Sequence, residues 1–336
     1  MQVLAGDIGG TKTLLAICEV TEAAGGAPRV EVVAKNRYPS NEFPGLSAIC
    51  RAFAQELSRP LPSHAGFGVA GPVVGGRCHT TNLPWVLDQK ELAQTLVIES
   101  ARLANDFYTL ALGIPSVAAK DLATINEGER DPGGPFAIIG AGTGLGEAIE
   151  IAGPHGQREV LASEGGHATF APRTDLEIGV LRFLARRHGH VSWERVLSGD
   201  GLVNLVEGIA EVTGKQLVPV LREIIARDRK DAPAAVTTAA RQGDPLCKQA
   251  LELFCALYGA EAGNLALKSL STGGVYVAGG IAPRILDWLT NGHFRDAFVD
   301  KGRMRPLLEK IPVQVVLETE AGLLGAAVLA ARETRT

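Results

Sequence analysis

The chain has 336 residues, 46% hydrophobic and 21% charged, with a net charge of −4. That is enough apolar material for two cores, since chains beyond about 250–300 residues tend to divide into domains. The charges are interspersed, which argues against a nucleic-acid or membrane partner, and no apolar run approaches the ~20 residues of a membrane span.

Met1-Gln2-Val3-Leu4 has no basic segment leading into an apolar one, so no secretory signal is expected. The first third predicts strands at about 2–7, 13–20 and 30–37. Leu46, Ile49, Phe53 and Leu57 recur at helical spacing, and Pro60 and Pro62 close that helix. A strand over 65–70 stops at Gly71-Pro72, and an irregular stretch with Asn82-Leu83-Pro84-Trp85 leads to a short helix near 88–96. A strand over 97–104 then carries Asn105-Asp106 at its C-terminal end. After Pro132-Gly133-Gly134 a second cycle begins, with a strand at 136–139, a glycine-rich turn at 140–144 and a strand-like run at 145–151. It repeats the strand, turn and strand of 2–20, which points to a duplicated architecture. The region 176–270 reads as mainly helical, and its last long helix starts at Asp244 ahead of Pro245. Strands at 275–278 and 313–316 and an Ala-rich helix over about 320–331 complete the chain.

The cysteines Cys18, Cys50, Cys78, Cys247 and Cys255 are scattered, with no C-x-x-C or zinc spacing. Buried reduced thiols in a soluble, cytoplasmic protein are the expectation.

The glycines cluster at strand ends. In Gly6-Asp7-Ile8-Gly9-Gly10-Thr11-Lys12-Thr13 the adjacent glycines open backbone conformations closed to other residues. Successive N–H groups in such a turn can form an anion-binding concavity. A carboxylate such as Asp7 beside a phosphate cradle calls for a cation, commonly Mg²⁺; a tight hairpin without a ligand is the alternative. The spacing is not that of a P-loop, which would need glycine at Thr11. Nor is it the dinucleotide fingerprint, which expects a helix next. The second turn, Gly140-Ala141-Gly142-Thr143-Gly144-Leu145-Gly146, misses both patterns as well. Two strand–turn–strand loops suit a nucleotide whose phosphates lie in a cleft between two domains. Gly279-Gly280, after the apolar run Val275–Ala278, suits backbone packing against a flat ring.

Three carboxylates stand out. Asp106, at a strand end, is placed either to orient a hydroxyl and accept its proton or to cap the next helix. Ser163-Glu164-Gly165-Gly166-His167 sets a carboxylate and an imidazole around two glycines, which argues against a helical metal pair and for hydrogen bonds to a polyol. Glu194 is either a third polar contact or an exposed residue at a helix start.

Together these stretches resemble the bacterial glucokinase family of the actin-like/hexokinase superfamily. The matching motifs are 6–11, 82–85, 103–107, 142–146, 163–167, 189–192 with 194–199, 201–205 and 277–281, in family order over about residues 3–330. The resemblance implies an α/β, two-domain actin-like ATPase (ribonuclease H-like) fold with an interdomain cleft. It implies a small domain of 1–110 plus 318–336 and a large one of 111–317. It implies phosphorylation of D-glucose at its 6-hydroxyl by ATP with Mg²⁺, feeding glycolysis, in a homodimer that closes on its sugar. Asp106 then looks like the catalytic base, and Asn105, Asp106, Glu164, His167 and Glu194 look like glucose ligands. Gly6, Asp7, Ile8, Gly9, Gly10, Thr11, Gly142, Thr143, Gly279 and Gly280 look like nucleotide contacts, with Asp7 reaching the metal through water. Lys12 stands where many relatives carry Asn, and Ala141 where many carry Pro. The chain lacks the cysteine-rich zinc motif and the DNA-binding N-terminus of related repressor/kinase proteins. Another hexose or N-acyl-hexosamine kinase is one rival reading. A non-catalytic sugar-binding regulator is a second, and an intact Asp106 argues against it. An oxidoreductase is a third, and both glycine patterns are wrong for that.

Overall fold

A computed structural model describes residues 1–22, 28–80, 83–153 and 158–332, so Asn82 of the Asn82–Trp85 stretch lies outside the described residues. The chain divides into two units: Met1–Ala119 with the segment from Glu318, and Lys120–Leu317.

The first unit contains β1 (Gln2–Ile8), β2 (Lys12–Glu22), β3 (Pro28–Pro39), β4 (His64–Val69), a small meander of β5 (Val73–Val74), β6 (Arg77–His79) and β7 (Val86–Asp88), and β8 (Ser100–Asn105). Its main sheet runs β3-β2-β1-β4-β8. The first three strands pair antiparallel; β4 is parallel to β1, and β8 to β4. Alternation along β1 sends Val3 and Ala5 to one face and Leu4 and Ile8 to the other, and both faces are covered. Leu4, Ile8 and Leu15 meet Leu46, Ile49 and Phe53 of α1 (Leu46–Glu56) and Leu92 of α2 (Gln89–Leu96). Val3, Ala5 and Ala16 meet Leu323, Ala326 and Ala330 of the C-terminal helix Ala321–Ala331. Each large apolar side chain buried this way contributes roughly 1.5–3 kcal/mol.

The C-terminal helix is rich in small residues because it packs backbone to backbone. A Cβ on Gly66 of β4 would collide with the Ala326 carbonyl. One on Gly325 would collide with the Thr109 carbonyl of α3 (Asp106–Gly113). The strand expected over 97–104 begins only at Ser100, since Val97 closes α2 in the left-handed conformation, with φ 56°.

The second unit contains β9 (Leu122–Asn126), β10 (Phe136–Ala141), β11 (Leu145–Ala152), β12 (Arg158–Ser163), β13 (Gly274–Ala278) and β14 (Val313–Val316), in the order β12-β11-β10-β13-β14-β9. Antiparallel β12, β11 and β10 followed by parallel β13 and β14 reproduce the plan of the first sheet. The duplication read from two short stretches therefore extends through whole sheets, with β9 added at an edge. The helical region resolves into α4 (Asp175–His188), α5 (Gly199–Thr213), α6 (Pro219–Arg227), α7 (Ala232–Arg241) and α8 (Pro245–Ser269). Asp244 caps α8 by accepting the N–H groups of Leu246 and Cys247 at 3.1 and 2.8 Å. All five cysteines are free and buried.

Candidate active site

In the first unit the glycine turn is the three-residue link Gly9-Gly10-Thr11 between β1 and β2, closed by Ile8 opposite Thr13. The Gly9 N–H donates to the Lys12 carbonyl at 3.0 Å. Ser40, fully buried, fixes the turn from β3's end: its N–H donates to the Thr11 carbonyl at 3.0 Å and its Oγ to the Gly9 carbonyl at 2.9 Å. None of Gly6, Gly9 and Gly10 takes a left-handed backbone, so the turn does not use the conformational freedom that its adjacent glycines allow. Gly6 lies within β1, and its reason is packing: a Cβ there would sit 2.6 Å from the Phe67 ring and 2.9 Å from Leu15.

Asp7 and Asn105 flank the C-terminal end of β4, Asp7 opposite Gly68 and Asn105 opposite Val69. The C-terminal ends of parallel strands are where open α/β sheets bind ligands. The helix cap foreseen as one role for Asp106 is made by its neighbour. Asn105 Oδ1 accepts the N–H groups of Phe107 and Tyr108 at 2.9 and 3.4 Å, and its Nδ2 donates to the Gly71 carbonyl at 3.3 Å. Asp106 begins α3, where its Oδ1 accepts the Phe107 N–H at 3.0 Å. Burial and the Asp106 carboxylate push the Asp7 carboxyl up to about 6; Arg37 opposes this and Glu320 adds to it. Lys35 Nζ holds Glu320 at 2.7 Å.

In the second unit the turn is again three residues, Gly142-Thr143-Gly144, between β10 and β11. The Gly142 N–H donates to the Gly144 carbonyl and the Gly199 N–H to the Gly142 carbonyl, both at 2.8 Å. Tyr258 of α8, fully buried, accepts the Ala141 N–H at 2.8 Å on its hydroxyl, which faces the Ile139 and Ala278 carbonyls at 3.3 Å. Proline at 141 would remove that donor. The Ile281 N–H donates to the Ala141 carbonyl at 3.2 Å, which brings Gly279-Gly280 beside the turn. Gly279 has φ 85°, and a Cβ on it would lie 2.6 Å from the Ala141 carbonyl oxygen. Here glycine is needed for both conformation and space.

The same hairpin carries the acidic cluster. Glu194, in a 3₁₀ turn, accepts the Leu145 N–H at 3.0 Å on Oε2. Its Oε1 lies 4.0 Å from His167 Nδ1, and His167 Nε2 lies 3.8 Å from Glu164 Oε2. Glu164 and His167 are both exposed, while Glu194 is half-buried. Gly165–His167 forms one 3₁₀ turn against β11: Gly165 lies on the Glu147 carboxyl and Gly166 on the Leu145 carbonyl, where any Cβ would collide. Ser40, Tyr258 and Glu147 were not foreseen. Only long-range pairing reveals them, and a lone buried serine or tyrosine carries no local pattern.

Two sheets of one plan, each opening on a three-residue glycine hairpin, with carboxylates at strand ends, define a sugar kinase of the actin-like ATPase fold. A glucokinase structure from an Antarctic psychrotroph superposes with a TM-score of 0.86 at 30% identity, covering 98% of this chain and 99% of that one. The fold is shared with a ROK family glucokinase from Streptomyces griseus solved in complex with glucose and AMPPNP, at a TM-score of 0.64 and 24% identity over 99% and 100% of the two chains. The glucokinase family model matches residues 4–333. The glucokinase of a Nostoc species is 43% identical over 98% of this chain and 99% of its own length. The chain belongs to the glucokinase family.

Proposed function

We propose that the protein transfers the γ-phosphoryl group of ATP to the 6-hydroxyl of D-glucose, with Asp106 as the base that orients the hydroxyl and takes its proton. The observation that carries this reading is the seating of Asp106 on the first turn of α3, directly after a strand end, by the Asn105 cap. Phosphoryl transfer asks a protein chiefly for positioning and charge stabilisation, and a carboxylate held at a strand end supplies the first.

The labour divides between the units. In the first, Asp106 acts on the hydroxyl, Asn105 offers its remaining amide hydrogen to the sugar, and the turn Gly9–Thr11, beyond the strand residues Gly6, Asp7 and Ile8, meets phosphate through Gly10 and Thr11. In the second, Glu164, His167 and Glu194 hydrogen-bond the sugar hydroxyls, the Gly142-Thr143 turn meets phosphate through the Thr143 N–H, since that of Gly142 closes the hairpin, and Gly279-Gly280 packs on the adenosine. The glucose and AMPPNP bound by the Streptomyces griseus protein support this pairing of substrates.

Mg²⁺ fits the first unit as a hydrated ion. Asp7, with Asp106 and Glu320 in its field, offers concentrated negative charge. Among the described residues no group of three or more His, Cys, Asp or Glu is arranged to hold a metal, which suits an ion that keeps its waters and phosphate oxygens. When bound, Mg²⁺ neutralises charge developing on the phosphate oxygens. The free, buried cysteines support a reducing, cytoplasmic setting, and among the described residues no helix is long and apolar enough to cross a membrane. Membership of the family supports a homodimer and a place in glycolysis.

The test is a coupled assay across a hexose panel with ATP, ADP and polyphosphate as donors. Preference for glucose with ATP is expected. Preference for an N-acyl-hexosamine would redirect the sugar assignment, and absence of turnover with every pair would overturn the reading.

A further inference from the structure

Beneath the Glu164–His167 loop lies a carboxyl group that the proposed reaction does not use. Glu147 is on β11, directly opposite Ser163 of β12, and only 2% exposed. Its Oε2 abuts Gly165, and its Oε1 has no hydrogen-bond partner among the described residues. A second carboxyl group, Glu261 of α8, is also fully buried and lies close enough to act on it.

Two buried carboxylates sharing one site do not both ionise, because burial and like charge each favour the neutral form. The surroundings decide which group keeps the proton. Glu261 accepts the Asn264 Nδ2 at 2.7 Å and faces Lys268 Nζ at 3.5 Å, although its Oε1 makes no hydrogen bond. Lys301 Nζ, at 2.8 Å from Asn264 Oδ1, adds positive charge on the same side, with Arg173 beyond it. Glu147 lies opposite Ser163 in the strand pair, and the charged and titratable groups whose fields reach it are Glu261, Lys268 and the Tyr258 hydroxyl. Burial and then Glu261 push it up to about 7, and Lys268 opposes the rise. The charge therefore belongs on Glu261.

We propose that Glu147 is a positioning residue that works as an uncharged acid, supporting the Gly165–His167 turn from below so that Glu164 and His167 present one arrangement to the hexose. The proposal rests on the sugar role of Glu164 and His167 given above. It explains why the loop carries glycine at 165, since only a residue without a Cβ rests against that carboxyl. Ionisation of Glu147 would place an uncompensated charge directly under the turn.

The experiment has one arm that involves no substrate. Difference infrared spectra of the ligand-free enzyme at neutral pH, wild type against Glu147→Gln, are expected to show loss of the C=O stretch of a protonated carboxylic acid. A wild-type spectrum without that band overturns the uncharged acid. The second arm is kinetic: Glu147→Leu is expected to raise the glucose KM about tenfold with little change in kcat or ATP KM, and Glu147→Gln to restore most of it. Equal KM values in the Leu and Gln variants overturn the positioning role. If Glu147→Leu does not fold, hydrogen exchange of the 164–168 amides in wild type and Glu147→Gln takes its place. Those amides are expected to lose protection above about pH 8 in the wild type only; the same loss in both proteins overturns the proposal. Glu164→Gln is the control. If it leaves glucose KM unchanged, the sugar reading of the loop fails, while the infrared and exchange results still judge Glu147.

Discussion

The Glu194 carboxylate accepts the Leu145 N–H at 3.0 Å, so one side chain belongs both to the acidic cluster with His167 and to the hairpin Gly142–Gly144. Hydrogen bonds to charged groups are worth about 1.5–3 kcal/mol. Glu194→Ala should therefore raise the glucose KM about tenfold or more and the ATP KM several-fold, because the hairpin is released. Glu194→Gln, which still accepts from Leu145, should move mainly the glucose KM. Two-substrate kinetics on both variants separate the effects, and an unchanged ATP KM in Glu194→Ala would show that the hairpin does not depend on this bond.

Asp106→Asn should lower kcat by about 10²–10⁴-fold, the range for a positioned general base. The Asn105 cap stays, so thermal unfolding should be nearly unchanged. Retention of more than about a tenth of wild-type kcat would overturn the base assignment.

Asn105→Ala removes the acceptor for two N–H groups at the start of α3 and should cost about 1 kcal/mol. Calorimetry should show a fall in Tm of about 2–4 °C, with a larger proportional loss in kcat as Asp106 loses its seat. Asn105→Ser keeps a capping oxygen and should recover the stability; if it melts with the Ala variant, the cap is not what stabilises α3.

Asp7 gives a pH signature. Its folded value, about 6, lies above the ordinary 3.8, so the folded state prefers the protonated form. The stability tied to that form is present below about pH 4 and is lost as pH rises through about 6. Asp7→Asn should melt with the wild type at pH 4 and above it at pH 7.5, both without ligand. Mg-ATP should narrow that gap, and the variant should need more Mg²⁺ for half-maximal rate. A wild type more stable than Asp7→Asn at pH 7.5 would contradict the sign.

Gly325→Val should be among the most damaging changes far from the strand ends. The new side chain meets the Thr109 carbonyl and the Gly113 N–H within the contact between α3 and the C-terminal helix. Overpacking of this kind costs about 1–3 kcal/mol or more. Denaturant unfolding should show the loss, and a wild-type midpoint would mean that the helices separate at little cost.

Much of this molecule was legible locally. Continuous apolar runs mark β1 and β2, the spacing of Leu46, Ile49 and Phe53 marks α1, and Asp244-Pro245 marks the start of α8, because these signals depend on neighbours in the chain. The edge strand Arg158–Ser163, largely exposed, and the two-residue β5 left no comparable pattern. Asn105-Asp106 could be placed at a strand end, but not which of them caps the helix, since both residue types do so. The glycines taught the same lesson. Gly6, read as the start of the glycine-rich turn, lies in β1 and is glycine because Phe67 lies against it, and Gly165 because Glu147 does. Sequence by itself determined the order of elements and the repeat of the glycine hairpins, and it named the residues proposed for the site. Tertiary structure alone decided which side chains share an environment, and thereby the bonds of Ser40 and Tyr258, the raised pKa of Asp7 and the burial of Glu147. Those properties arise from groups distant in sequence but adjacent in space, where desolvation and close contact act.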